Sequence, residues 1–232
     1  AGRVLREVTG DLVQHIVSSL GADGIDRREI AGKALGELVK KLGDAVLPDV
    51  LPFLRAGLGS EDTKRRYGVC IGLQQVFEHA AASQVSDYAG ALVPAVQSAL
   101  CDDEDEVRAA AARAFGTLHR QVGKLALDAV LPSFLELVGQ GEEGEGAHRA
   151  LEGLRSVVRL QPEGLLAYLL PLWTSPPLTP SKVRAIGAVV SVAGAHLQRH
   201  LKGLLSFLSL PVGDESHVAH SAACGAVDAM CS

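Results

Sequence analysis

Residues Asp102–Gly116 read DDEDEVRAAAARAFG, an acidic start followed by small and apolar residues at helical spacing. Val107, Ala110, Ala111, Ala114, Phe115 and Leu118 stand at i, i+3, i+4, i+7, i+8 and i+11. That is one continuous apolar stripe along a helix. The same pattern runs from Arg27 through Ala31, Leu35, Leu38 and Val39, and from Lys64 through Tyr67, Ile71 and Phe77. Across 232 residues, 47% are hydrophobic but only 4% are aromatic, with one Trp, three Tyr and five Phe. Such a chain is a buried, folded one that fills its core with Leu, Val and Ala, which favours helix on helix.

Prolines give the rhythm. Pro48, Pro94, Pro132, Pro171 and Pro211 are separated by 46, 38, 39 and 40 residues, and VLPDVLPFL, LVPAVQSAL and VLPSFLELV surround the first three. A proline in the first helical turn forfeits no hydrogen bond, so these positions predict helix starts. Gly36, Gly72 and Gly116 each follow Arg28, Lys64 and Arg108 by 8 residues and read as equivalent positions of close helix packing. Two helices per unit of about forty residues, repeated about six times with the first and last incomplete, make a repeat array.

With the pattern D-x-x-x-x-V-R-x-A-A-A-x-A-F-G at Asp102–Gly116, these units resemble HEAT repeats. The resemblance implies an all-α fold, a right-handed alpha-alpha superhelix of the HEAT/armadillo solenoid type. It also implies a structural pair, Asp102 with Arg108, at the inter-helix turn and bonding along the stack. On the residues alone, Asp102, Asp103 and Asp105 are able to cap a helix start, while Glu104 and Glu106 suit its positive end. The chain opens on Ala1 and stops at Ser232 inside an apolar helical pattern, so residues 1–232 read as a single array cut from a much larger solenoid. Gly139–Gly146 (GQGEEGEG) and Thr174–Pro180 (TSPPLTP) read as loops within that array.

Chemistry is scarce. Neither Gly32-Lys33 nor Gly123-Lys124 completes a phosphate-binding loop, and there is no G-x-S-x-G elbow. His196 with His200, and His217 with His220, have helical spacing that suits a metal but lack a third ligand, and surface histidines are the simpler reading. Cys70, Cys101, Cys224 and Cys231 form no CxxC pair, and Cys70 lies in an apolar helical run that holds its thiol neutral. Apolar runs such as Gly164–Trp173 stop short of the ~20 residues that span a bilayer. The reading is a non-catalytic protein with no cofactor, metal, membrane or small-molecule substrate.

What remains is surface. Lys64, Arg65 and Arg66 open a helix, and with Lys40 and Lys41 they are candidate contacts for an anionic partner such as ribosomal RNA. Interleaved acids, among them Glu37, Asp44, Glu61 and Asp62, also allow a salt-bridged solvent face. The formal charge of −5 argues against a dedicated nucleic-acid binder. RREIAGKALGELVKKLG from Arg27, YGVCIGL from Tyr67, ALCDDEDEVRAAAARAF from Ala99, LEGL from Leu151 and SVAGAHLQRHL from Ser191 are more distinctive than any HEAT signature. Together they resemble the large ribosome-associated HEAT-repeat activators of the initiation factor 2-alpha kinase, the general-control family of the amino-acid starvation response. That resemblance implies a cytoplasmic scaffold on ribosomes, with the kinase bound through other regions of the parent. A nuclear transport receptor or a phosphatase regulatory subunit is the alternative built from the same helical pairs.

Overall fold

The alanine-rich stripes fold as helices throughout the described residues, which are 2–139, 145–174 and 180–200 of the computed structural model. Among them are eleven α-helices, two 3-10 segments and no strand. The chain divides into two units, Ala1–Val130 and Leu131–Ser232.

In the first unit the helices are α1 (Gly2–Ser19), α2 (Ile25–Leu42), α3 (Leu47–Leu58), α4 (Thr63–His79), α5 (Ala82–Asp87), α6 (Ala89–Leu100) and α7 (Asp105–Val122), with α8 (Lys124–Gly139) beginning at its end. They form two layers: α2, α4 and α7 pack side by side, and α1, α3 and α6 pack beside one another. The stripe read in α7 is wholly inside, with Val107, Ala110, Ala111, Ala114, Phe115 and Leu118 all buried. Phe77 and Phe115 are the largest fully buried side chains, and Val, Leu and Ala fill the rest. In the second unit α9 (Glu145–Leu160), α10 (Pro162–Trp173) and α11 (Pro180–Ala193) pack against one another around Leu154, Val158, Leu165, Leu169 and Val189.

Close packing explains the glycines. A Cβ on Gly32 would lie 2.7 Å from Ile71, and one on Gly36 3.1 Å from His79, so α2 and α4 touch along a glycine seam and run parallel. Gly43 and Gly123, the residues after α2 and α7, take φ of +47° and +57°, which glycine adopts without strain.

Two sequence expectations are corrected. Pro48 does sit at the start of α3, but Pro94, Pro132 and Pro171 lie inside α6, α8 and α10. All three are exposed, so the carbonyl four residues back, freed by the missing N–H, is turned to water rather than orphaned in the core. Pro52, inside α3, is therefore the counterpart of Pro94, and the long first interval reflects a different position in the helix. The glycine alignment also slips: Gly36 and Gly116 are the twelfth residues of α2 and α7, whereas Gly72 is the tenth of α4. Gly72 still marks a tight approach, since its Cβ would sit 2.9 Å from Leu20.

Cys70 is fully buried, and burial pushes its thiol up to about 12, well away from a reactive thiolate. Among the described residues no helix is long and apolar enough to cross a membrane. The middles of the two loops (140–144 and 175–179) lie outside the described residues, as do Pro211, His217, His220, Cys224 and Cys231.

Candidate functional site

Each of α2, α4 and α7 carries an arginine as its fourth residue: Arg28, Arg66 and Arg108. Helical side chains lean toward the N-terminus, so each guanidinium reaches back to the turn before its own helix. Arg28 Nη1 donates to the Ala22 carbonyl at 3.0 Å. Arg66 Nη1 donates to the carbonyls of Ser60 and Glu61, both at 3.0 Å. Arg108 Nη1 donates to those of Asp102 and Asp103. Carbonyls left without helical partners are satisfied this way at three successive turns.

The second of these arginines also binds along the stack. Arg66 Nε donates to Asp102 Oδ2 at 2.7 Å and Nη2 to Oδ1 at 3.0 Å, a two-point pair between neighbouring repeats. Both side chains are nearly buried, 14% and 10% exposed. Asp102 Oδ1 additionally accepts the Glu104 N–H at 3.0 Å, an Asx turn that fixes the carboxylate. The arrangement differs from the Asp102–Arg108 pair that the HEAT pattern implies. Arg108 follows Asp102 on the same turn, so it meets the main-chain carbonyl, takes the exposed Asp105 as its carboxylate, and leaves the Asp102 side chain to Arg66. Likewise the residue before the first turn of α7 is Glu104, with no side-chain cap, whereas Asp62 does cap α4 by accepting the Lys64 N–H at 3.0 Å.

At the preceding step the pattern changes. Arg28 lies over the Tyr67 ring, 5.3 Å from its centroid, with its Nε buried and unpartnered. The sequence pattern aligns the repeats on Lys64, but the structure aligns them on Arg66; the arginine in the fourth place of each helix is the signal for the correct register.

The candidate basic residues do not form one patch. Lys64, Arg65 and Arg66 lie in the first turn of α4, but Lys40 and Lys41 lie in the last turn of the parallel α2. Arg66 is committed to Asp102, and Lys64 Nζ meets Asp23 Oδ1 at 2.7 Å. That pair holds the Asp23 carboxyl below its ordinary range and the Lys64 ammonium above its own, each chiefly through the hydrogen bond between them. Both groups are exposed, which makes the pair a weak contributor. Lys40 stands 3.9 Å from Glu37, while Arg65 and Lys41 are exposed with no ion-pair partner among the described residues. The cost of three cations at a helix start is thus met by packing at Arg66 and by Asp23 at Lys64.

His196 and His200 fall in a 3-10 segment, Gly194–His200, whose three residues per turn place them on different faces. His196 instead stands 3.7 Å from Glu163. Among the described residues no group of His, Cys, Asp or Glu is arranged to hold a metal ion.

Removing the Arg108 guanidinium unties the turn at Asp102 and Asp103, so Arg108→Ala is expected to cost about 1–3 kcal/mol. Thermal unfolding followed by circular dichroism measures it; an unchanged melting temperature means water replaces the guanidinium without loss.

Residues 165–232 match the family model described as stalled ribosome sensor GCN1-like, HEAT repeats, and residues 78–118 match the HEAT-like repeat. The chain is 37% identical over 206 residues to the eIF-2-alpha kinase activator GCN1 of Dictyostelium discoideum, covering 89% of this chain and 8% of that protein. It is also 37% identical over 213 residues to the stalled ribosome sensor GCN1 of Homo sapiens, covering 92% of this chain and 8% of that protein. The chain therefore spans less than a tenth of the length of these curated relatives. Among solved structures it is similar to Kap95p as crystallised with RanGDP, with a TM-score of 0.52 at 15% identity over 96% of this chain and 31% of that one. At that identity the likeness shows the fold alone, an all-α superhelical repeat fold, and gives no weight to a transport function.

Proposed function

We propose, on the premise that the chain is a GCN1-type HEAT segment, that residues 1–232 are a single non-catalytic scaffold array within a cytoplasmic, ribosome-associated activator of the initiation factor 2-alpha kinase. The observation that carries the reading is 37% identity over nine-tenths of the chain to proteins named for sensing stalled ribosomes and activating that kinase. The physical part is stiffness. A repeat array transmits force and position only through contacts between neighbours, so the cross-repeat pair of Arg66 and Asp102 sets the register of one repeat on the next. The kinase is met through other regions of the parent.

Of the five basic residues, Arg65 in the first turn of α4 and Lys41 in the last turn of α2 are best placed to meet ribosomal RNA, with the exposed Lys40 next to Lys41 only. Reversing Lys40, Lys41 and Arg65 to Glu in the full-length parent leaves the buried Arg66–Asp102 pair intact. The expected result is weaker co-sedimentation with polysomes and a shallower salt dependence, by about 0.7–0.9 in log–log slope for each RNA phosphate that is no longer neutralised. Gradient profiles that match the wild type at every salt concentration would return these side chains to solvent and leave the ribosome to other segments.

A further inference from the structure

Ser60 occupies in its turn the place that Asp102 occupies in the next. Both side-chain oxygens accept the main-chain N–H two residues on, Asp62 N–H to Ser60 Oγ at 3.2 Å and Glu104 N–H to Asp102 Oδ1 at 3.0 Å. Both carbonyls accept Nη1 of the arginine six residues on, Arg66 for Ser60 and Arg108 for Asp102. One repeat earlier, Arg28 stands where Arg66 stands, at the fourth residue of its helix. The correspondence extends to the atom. Arg66 Nε donates to the carboxylate of Asp102, whereas Arg28 Nε is buried with nothing to donate to, in a residue 9% exposed. A buried guanidinium N–H left unpaired is costly, and residue 60, the counterpart of Asp102 at this step, is a serine that carries no anion.

We propose that Ser60 is a phosphorylation site, and that its phosphate supplies the acceptor for Arg28 that Asp102 supplies for Arg66. Ser60, itself half-buried, lies in the turn between α3 and α4 and is flanked by the exposed Gly59, Glu61 and Asp62, so the turn is open to a kinase. In the transfer, Ser60 Oγ forms a bond to the γ-phosphorus of a nucleoside triphosphate as the bond to the departing diphosphate breaks. The hydroxyl proton passes to the base of the serine kinase that supplies the triphosphate. The product carries three acceptor oxygens two bonds beyond Oγ and a charge of about −1.5 to −2. Glu61 and Asp62 repel it; Arg28 and the Arg66 guanidinium at the Ser60 carbonyl attract it. The consequence is a switchable link between the α2 and α4 repeats, where the next interface has a permanent one.

Two experiments test this. First, the chain is made with phosphoserine incorporated at position 60 and compared with the unmodified chain. The melting temperature is expected to rise by roughly 4 °C or more, and the Arg28 Nε–H resonance to shift and gain protection from exchange. The rise should vanish in Arg28→Gln, and the resonance readout needs no variant should Arg28→Gln fold poorly. Absence of both effects, or an equal rise in Arg28→Gln, overturns the proposal. So does an equal rise of the unmodified chain in inorganic phosphate over a chloride control, which would mark a site for free anions instead. Second, mass spectrometry of the parent isolated from its own cells with phosphatases inhibited should find phosphate on the peptide containing Ser60. Recovery of that peptide only unmodified overturns the site.

Discussion

Asp102→Ala is expected to lower stability by about 3 kcal/mol or more, because it strands the Arg66 guanidinium in a nearly buried place. It also removes the acceptor of the Glu104 N–H. For a domain of this size that corresponds to a melting temperature lower by roughly 6 °C or more. The size of the effect comes from leaving one charge behind, not from the net worth of the pair. A double replacement, Arg66→Met with Asp102→Leu, is therefore expected to cost less than the sum of the two single changes, with a coupling of about 2 kcal/mol. Denaturant unfolding of the four proteins measures the cycle. Additive single effects would mean that the two side chains are solvated separately, and the register function proposed for the pair would fall with it. The pair should also survive added salt better than Lys64–Asp23, since ions screen exposed charges first.

The HEAT pattern pairs Asp102 with Arg108 and the structure pairs it with Arg66, a difference that shows where one-dimensional reading stops. Apolar periodicity is a property of single helices, and it locates α2, α4 and α7 correctly from Leu35, Ile71 and Phe115 and their neighbours. Which arginine meets which aspartate depends on how helices stack. Arg66 and Asp102 lie 36 residues apart, with the rest of α4 and all of α5 and α6 between them, whereas Asp102 and Arg108 merely share a turn. Proline misleads for a related reason. The residue is compatible with a first turn and also with an exposed mid-helix position, and only burial separates the two at Pro94 and Pro132. The basic residues at 64–66 look alike as letters but have three different environments: Lys64 on Asp23, Arg65 in solvent, Arg66 inside.

Gly68 is the position where a single methyl should do most harm. A Cβ built there would lie 1.7 Å from the main-chain oxygen of Leu20 and 3.3 Å from the Arg28 side chain. The nearest obstacle is backbone, which has no alternative rotamer, so α4 would have to move off the turn joining α1 and α2. Such a shift opens the packing around Leu20 and Leu73, both buried, and loosens the tight approach of Gly72 to Leu20, Leu35 and Leu54. Overpacking of well-filled cores costs about 1–3 kcal/mol and more when no side chain yields, so Gly68→Ala is expected to cost about 3 kcal/mol or more. Helix propensity acts the other way by about 1 kcal/mol, which makes a net loss diagnostic of the clash. Gly10→Ala supplies the contrast: Gly10 lies within α1 with nothing near its Cβ position, so the same change should raise stability by about 0.5–1 kcal/mol. Thermal unfolding of the two variants decides the matter. If Gly68→Ala melts at or above the wild-type temperature, the α1–α2 turn does not lie against α4, and the glycine serves backbone freedom rather than close approach.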